Sequence, residues 1–150
     1  MKNCLSAPNA TAVINGRGDM CRLSGWVDFF QKNGFVLIVA NIKGLPQTET
    51  GFFGFHIHEG DSCSGEGFAD TKGHYNPLSN PHPRHAGDMP PLMRSNGGAY
   101  MVFADDRFAV EDIIGRTVVI HDRPDDFTSQ PSGNAGTKIG CGVIRLNKAR

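Results

Sequence analysis

Glycine and proline interrupt this chain so often that no stretch of ten residues or more keeps the apolar repeat of an amphipathic helix. The 150 residues include 19 glycines and 9 prolines. Short apolar or alternating runs dominate instead, and they indicate strands. We predict strands at Ala12–Asn15, Leu23–Gln31, Phe35–Ile42, Phe53–His58, Tyr100–Ala104, Thr117–His121 and Gly142–Leu146. Asn33-Gly34 is typical of a hairpin turn between two of them, and the only helical indication is the short segment AVEDII.

Two long connections separate these strands, one from Glu59 to Gly98 and one from Asp122 to Gly140. Loops of this length inside a compact domain are usually functional or disordered. These two contain histidines, cysteines and aspartates rather than a low-complexity tract, so we expect them to be ordered. The length suits one domain over residues 1–150. The chain is therefore predicted to be an all-β sandwich or barrel with two large functional loops at one end.

Composition excludes some classes of function. Lysine plus arginine equals aspartate plus glutamate at 15 each, so a nucleic-acid binder held by bulk charge is not expected. No run of about 18 apolar residues is present, so no membrane span is expected. The first residues lack the apolar core of a secretory signal, which predicts a cytoplasmic protein; a signal removed beforehand would instead place it outside the cytoplasm. Four cysteines allow three disulfide pairings, and none lies in a C-x-x-C pair.

The segment GFHIHEGDSC places His56 and His58 two positions apart in a predicted strand. Residues so spaced point to the same face of a strand, about 6.5–7 Å apart. The two imidazoles can hold one metal ion together, or they can form a polar pair on an exposed face. His121 ends another predicted strand, and three or four imidazoles in a tetragonal array suit Cu(II).

A second set of polar residues lies in the first long connection, in GHYNPLSNPHPRHAGD. Its members are His74, His82, His85 and Asp88. Three imidazoles and a carboxylate suit a tetrahedral zinc ion, whereas the alternative is a polar surface loop that happens to contain histidines. If both metals are present and close, His74 is the residue that could serve both, because it stands apart from the other loop ligands and nearest the strand pair.

At this point the residues resemble those of the copper/zinc superoxide dismutase family, in its bacterial branch and over nearly the whole chain. The resemblance rests on GFHIHEGDSC, GHYNP, RHAGD, IIGRTVVIHDRPDD and GNAGTKIGCGVI. It implies an eight-stranded, immunoglobulin-like Greek-key β-barrel and an oxidoreductase that converts superoxide to dioxygen and hydrogen peroxide. It also implies copper on His56, His58, His74 and His121, and zinc on His74, His82, His85 and Asp88.

Further roles follow from the same resemblance. Asp125 would tie a copper histidine to a zinc histidine, and Cys63 would form a disulfide with Cys141. His74 would transfer a proton to the product. Lys138 stands where the family usually has an arginine near copper, so a cation is kept but the two-point guanidinium contact is lost.

Four further expectations concern loops and partners. The three-residue spacing of His82 and His85 predicts a tight turn at Pro83 and a zinc geometry or affinity that differs from the family's. The short loop from His121 to Lys138 predicts a more open site that steers its anionic substrate less. Many members of the family pair, which makes a homodimer one expectation. Cys4 and Cys21 flank the first strand and could form a second disulfide.

Two other classes of function compete with the enzyme. One is a copper and zinc buffer, or a copper-delivery domain of the same fold with little turnover. All four copper positions carry histidine, which favours the enzyme. The replacement of the family's arginine by Lys138 slightly favours the buffer. The other is a structural or adhesive β-sandwich, in which all six histidines would be incidental.

Overall fold

The computed structural model describes residues 7–148, and these form an almost entirely β structure. Its strands are β1 (Ala10–Gly16), β2 (Ser24–Gln31), β3 (Val36–Lys43), β4 (Phe52–Phe53), β5 (Phe55–His58), β6 (Leu92–Met93), β7 (Ala99–Asp105), β8 (Thr117–His121) and β9 (Lys138–Leu146). One short helix, α1 (Val110–Ile113), lies within the predicted AVEDII segment. Two 3-10 turns, Gly18–Met20 and Glu66–Thr71, were not indicated by the sequence.

Seven antiparallel strands form one sheet in the order β5-β8-β9-β1-β2-β3-β7, and β4 pairs separately with β6. At Gly54 the chain passes directly from β4 into β5, while β6 is followed along the chain by β7. The two edges of the large sheet are therefore joined through the β4–β6 pair, and the twisted sheet curls into a barrel. If β4 and β5 are taken as one interrupted strand, the described residues contain the eight strands that were predicted.

The interior of the barrel is filled by buried side chains, which alternate along the strands with more exposed ones. In β3, Val36, Ile38, Ala40 and Ile42 are buried while the residues between them reach the other face. Phenylalanines 29, 53 and 55 are fully buried beside them. Burial of one such large apolar side chain contributes about 1.5–3 kcal/mol, so this face fixes the register of the sheet.

The predicted strands are confirmed, with shifts at their ends. The hairpin at Asn33-Gly34 is present: the Lys32 amide donates to the Phe35 carbonyl at 2.9 Å, and Gly34 has a φ of 84°. The strand β6 was missed because two residues carry no periodicity. The last strand begins at Lys138 rather than Gly142, because glycines obscure its pattern. A Cβ at Gly142 would lie 2.3 Å from the Val13 carbonyl oxygen, so β1 requires glycine there.

Two long connections follow β5 and β8, here called the first loop (residues 59–98, which includes β6) and the second loop (residues 122–137). Because β5 and β8 are antiparallel neighbours, with His58 opposite Thr117, the loops leave opposite ends of this strand pair, so the prediction of two loops at one end was wrong. Cys63 of the first loop is bonded to Cys141 of β9, with an S–S distance of 2.06 Å, which confirms the predicted disulfide. Cys21 is exposed, and Cys4 lies outside the described residues, so their pairing stays a prediction. Among residues 7–148, no helix is long and apolar enough to cross a membrane.

The disulfide should contribute a measurable part of the stability, because it closes a loop over a sequence separation of 78 residues. We expect the Cys63→Ser/Cys141→Ser protein to lose roughly 2–5 kcal/mol of unfolding free energy in denaturant titrations of the metal-free protein. A reducing agent should lower wild type to the stability of the double variant measured under the same reducing conditions. Equal stability of oxidised and reduced wild type would contradict this expectation.

Candidate metal centre

The strand β5 separates apolar from imidazole side chains by simple alternation. Phe55 and Ile57 enter the core, and His56 and His58 point to the opposite face. The neighbouring strand β8 ends at His121, where a β-bulge follows Ile120. Bulges redirect side chains, and this one occurs where the His121 ring must meet those of β5. The strand-borne histidines thus converge on one side of the sheet.

The first loop returns to the free edge of β5 and pairs with it. The Tyr75 amide donates to the Ile57 carbonyl at 2.8 Å, and the Ile57 amide donates to the Gly87 carbonyl at 2.9 Å. This pairing places His74 opposite His58, and Asp88 opposite His56. Gly87 is required, because a Cβ there would lie 2.2 Å from the Ile57 carbonyl oxygen. Backbone hydrogen bonds therefore carry the loop residues onto the strand histidines.

The converging side chains form two buried groups of metal-ligating atoms that share one ring. One group is His56, His58, His74 and His121, and the other is His74, His82, His85 and Asp88. Within each group the ligating atoms all lie within 4.8 Å of one another. These are the two sets that the sequence predicted, and His74 is the shared member.

Backbone carbonyls fix the orientation of two rings in the first group. His58 Nδ1 donates to the Lys72 carbonyl at 2.8 Å, and His121 Nδ1 is 3.3 Å from the Gly136 carbonyl. In a neutral ring with hydrogen on Nδ1, Nε2 carries a lone pair. The Nε2 atoms of His58 and His121 face each other at 3.3 Å, so a cation between them would convert a repulsive contact into a favourable one.

Asp125 orients one ring from each group. Its two carboxylate oxygens accept hydrogen bonds from His56 Nε2 and His82 Nε2, each at 2.8 Å. Burial raises the pKa of Asp125, but the hydrogen bonds from these two histidines outweigh it and lower that pKa to about 2. Asp125 is therefore ionised, and it keeps the hydrogen of each ring on Nε2. The nitrogens that donate to Asp125 or to a backbone carbonyl are here called the outer nitrogens. Asp125 links the two groups as the resemblance implied.

Three ring nitrogens that do not contact Asp125 or a backbone carbonyl, here called the inner nitrogens, lack hydrogen-bond partners. Nδ1 of His56, Nε2 of His74 and Nδ1 of His82 are buried and accept no hydrogen bond. His82 Nδ1 also lies 3.0 Å from an Asp88 oxygen, so two acceptors face each other. An unsatisfied buried polar group costs about 1–3 kcal/mol. Metal ions would satisfy these atoms at once, which is why the residues fit two ions.

The shared ring presents a different nitrogen to each group. His74 Nδ1 lies 2.7 Å from an Asp88 oxygen and 3.4 Å from His85 Nδ1, whereas its Nε2 has no partner. Four imidazoles suit Cu(II), and three imidazoles with a carboxylate suit zinc. The arrangement can therefore hold copper on the strand side and zinc on the loop side of one imidazole.

Two rings of the first group, His58 and His121, are held in the neutral form that binds metal. Burial lowers the pKa of His58 well below its usual value, and the neighbouring His121 and His74 lower it further. Burial, with His56 and His74 close by, lowers the pKa of His121 to about 3 despite the opposing hydrogen bond to Gly136.

An open cavity of about 410 Å³ leads to the histidines from solvent. It is lined by residues that include Lys72 of the first loop, Pro131 of the second loop and Lys138 of β9. The Lys138 ammonium donates to Thr71 Oγ1 at 2.7 Å and to the Lys72 carbonyl at 3.0 Å, and burial lowers its pKa. The structure thus brings Lys138 to the entrance of the first group, where the resemblance had placed it.

Two residues that support the second group were missed by sequence reasoning. The Arg107 guanidinium pairs with Asp105 and donates to the carbonyl oxygens of His85 and Asp88. The Gln130 side chain accepts from the His82 amide at 2.9 Å and donates to the His82 carbonyl at 2.7 Å. Such contacts to backbone atoms have no sequence signature, because any residue supplies a carbonyl.

Comparisons with known proteins agree with this geometry. A family model described as "Copper/zinc superoxide dismutase (SODC)" matches residues 23–144. The chain is 38% identical to superoxide dismutase (Cu-Zn) 2 of Aquifex aeolicus (strain VF5), over 89% of this chain and 84% of that protein. It is 35% identical to superoxide dismutase (Cu-Zn) 3 of Arabidopsis thaliana, over 93% of this chain and 92% of that protein.

Arg107 should stabilise the zinc group more than the copper group, because it contacts the backbone of two zinc-side residues. We expect Arg107→Met to weaken zinc binding about tenfold or more, as loss of a supporting contact typically does, and to leave copper binding nearly unchanged. Competition with a chromogenic chelator measures both affinities. Arg94→Met is the matched control, since Arg94 donates to the Leu45 carbonyl instead. Equal losses of zinc and copper affinity would contradict this assignment.

Proposed function

The chain belongs to the copper/zinc superoxide dismutase family, and we propose that it converts superoxide to dioxygen and hydrogen peroxide at the two histidine groups. The observation that carries this proposal is the His74 ring, which offers Nδ1 to one group and an unpaired Nε2 to the other. A ring that links two metal sites in this way has no use in a purely structural sandwich.

We assign the ligands as predicted from the sequence. Copper is held by His56, His58, His74 and His121, and zinc by His74, His82, His85 and Asp88. When bound, copper supplies one-electron redox chemistry, and zinc supplies a fixed positive charge without a redox change. Asp125 and the two backbone carbonyls keep the rings in the tautomers that this assignment needs.

His74 is the residue placed to hold and deliver a proton. It lines the cavity, and its Nδ1 is committed to the zinc side. Its Nε2 can therefore hold one proton without turning the ring and release it to the peroxide product, while water in the open cavity supplies the second proton. Because the ring stays fixed, no separate acid or base is required.

Lys138 is placed to attract the anionic substrate. Two of the three ammonium N–H groups are used by Thr71 and the Lys72 carbonyl, which leaves one for an anion in the cavity. The ammonium is thereby fixed like a guanidinium, although it offers a single contact where arginine offers two.

A metal buffer or copper-delivery domain is less consistent with the site. A buffer needs ligands but no substrate route, whereas here a cavity lined by Lys138 reaches His58, His74 and His121. Full copper occupancy without superoxide turnover above that of free buffer would favour the buffer instead.

The shared role of His74 is tested by comparing two alanine variants. We expect His74→Ala to change both zinc affinity and the Cu(II) electron paramagnetic resonance spectrum, and to lower turnover roughly 100-fold or more. His85→Ala, the control, removes a ligand of the zinc group only. It should weaken zinc binding while the copper spectrum stays close to that of wild type. An unchanged copper spectrum in His74→Ala would contradict the bridge.

The charge of Lys138 should govern how quickly superoxide reaches the site. We expect Lys138→Met to lower kcat/KM about tenfold at low ionic strength, with the difference shrinking as salt rises. Pulse radiolysis at two salt concentrations measures this, and metal content should be unchanged. Lys138→Arg should retain or exceed wild-type activity. A loss that is independent of salt would show that Lys138 acts other than by its charge.

Two further expectations stay predictions. Pairing into a homodimer is tested by light scattering coupled to size-exclusion chromatography. A cytoplasmic location is tested by fractionation of the source cells.

A further inference from the structure

We propose that Thr71 is a positioning residue for Lys138, and that its buried hydroxyl holds the ammonium of Lys138 in place at the cavity. The proposal deepens the function proposed above and rests on it, because Lys138 is a cation that this function uses. Thr71 is fully buried and does not line the cavity, so it acts on the substrate only through Lys138.

The hydrogen-bond partners of Thr71 fix the direction in which its hydroxyl can act. Thr71 Oγ1 donates its hydrogen to the Phe68 carbonyl at 2.8 Å, since a carbonyl oxygen can only accept. The lone pairs of Oγ1 are therefore left for the Lys138 ammonium, which donates to it at 2.7 Å. This distance is typical of a hydrogen bond from a charged donor, which is stronger than one between neutral groups. The hydroxyl is thus a committed acceptor for Lys138.

Backbone contacts and packing keep the hydroxyl of Thr71 where it is. The Gly60 amide donates to the Thr71 carbonyl at 2.9 Å. A Cβ at Gly60 would lie 2.1 Å from the Asp70 carbonyl oxygen, so only glycine permits this close approach. Phe68, which accepts the hydroxyl hydrogen, is buried in a cluster with Cys141. The acceptor for the ammonium is therefore held by its neighbours on both sides.

A lysine needs such a restraint more than an arginine does. The ammonium ends a flexible four-carbon chain, whereas a guanidinium is a planar fork whose contacts fix one another. The Lys72 carbonyl alone, at 3.0 Å, would leave the ammonium free to turn about a single contact. Thr71 supplies the second contact, and the two together set the direction of the third N–H. Thr71 therefore compensates for lysine at position 138, where the family usually has arginine.

A double-mutant cycle tests whether Thr71 acts through Lys138. Thr71→Val keeps the branched shape of the side chain and removes its oxygen. We expect it to lower kcat/KM, measured by pulse radiolysis, about two- to fivefold at low ionic strength and less at high salt. In the Lys138→Met protein, Thr71→Val should lower kcat/KM by less than about 1.5-fold. In the Lys138→Arg protein its effect should be smaller than in wild type. Thr71→Ser keeps the hydroxyl and should retain the wild-type rate.

A second readout does not depend on turnover. In the zinc-loaded protein with copper reduced to Cu(I), which is diamagnetic, proton–nitrogen correlation spectra report how fast lysine ammonium protons exchange with water. Hydrogen bonds to Thr71 and to the Lys72 carbonyl should slow this exchange at Lys138. We expect slow exchange in wild type and in Thr71→Ser, and faster exchange in Thr71→Val. The signal is assigned by its loss in Lys138→Met.

Thr117 in β8 offers a matched control. It is also fully buried, and its hydroxyl donates to the Gly60 carbonyl at 3.1 Å, but it accepts no hydrogen bond from Lys138. Thr117→Val and Thr71→Val each leave a buried carbonyl without its hydroxyl donor, so both should lower the unfolding temperature. Thr117→Val should leave kcat/KM and the Lys138 signal unchanged. The Cu(II) electron paramagnetic resonance spectrum should match that of wild type in both variants.

Equal losses of kcat/KM from Thr71→Val in the wild-type and Lys138→Met backgrounds would overturn the proposal, because Thr71 would then act on folding alone. So would an ammonium exchange rate that Thr71→Val leaves unchanged. A loss in the Lys138→Arg protein as large as in wild type would refute the compensation for lysine. Absence of superoxide turnover in every protein, wild type included, would refute the proposed function. The ammonium exchange rates would then still decide whether Thr71 positions Lys138.

Discussion

The pairing of the first loop with the free edge of β5 is the interaction on which the rest of the site depends. Ile57 exchanges backbone hydrogen bonds with Tyr75 and Gly87, and its neighbours His56 and His58 point away from the core. The edge of a sheet is an unsatisfied row of donors and acceptors, and here a loop covers it. This pairing places His74 opposite His58 and Asp88 opposite His56. The barrel and the metal centre are therefore stabilised by the same contacts.

The fold also fixes the orientation of the imidazole rings, through contacts separate from those that place them. Asp125 and two backbone carbonyls bind the outer nitrogens, which leaves inner nitrogens that face one another or a carboxylate. Such contacts are unfavourable without cations, so metal binding and folding of the loops must be coupled. The folded loops thus present a set of acceptors to the ions, and Arg107 and Gln130 hold the backbone behind them.

Electrostatics in this chain are local rather than global. Superoxide dismutation needs an anion to reach a buried centre, yet the formal net charge is zero. The ammonium of Lys138 lies at the cavity instead, where the carbonyl of Lys72 fixes it. The replacement of the family's arginine by Lys138 is therefore accommodated by a neighbouring backbone that restrains the ammonium.

Much of the fold and of the candidate site could be read from the sequence, because alternation and short spacings are local properties. Alternation placed His56 and His58 on one face, and the loop motif grouped His74 with His82, His85 and Asp88. Composition left three cysteine pairings open, and only the resemblance to a family selected Cys63 with Cys141. The two-residue strand β6, the start of β9 and the supports Arg107 and Gln130 were not predictable. Each depends on which backbone atoms of distant segments meet. The sequence by itself determined which atoms could ligate metal; the tertiary structure alone decided which nitrogen of each ring faces inward, because that choice is made by hydrogen bonds from residues far away in the chain.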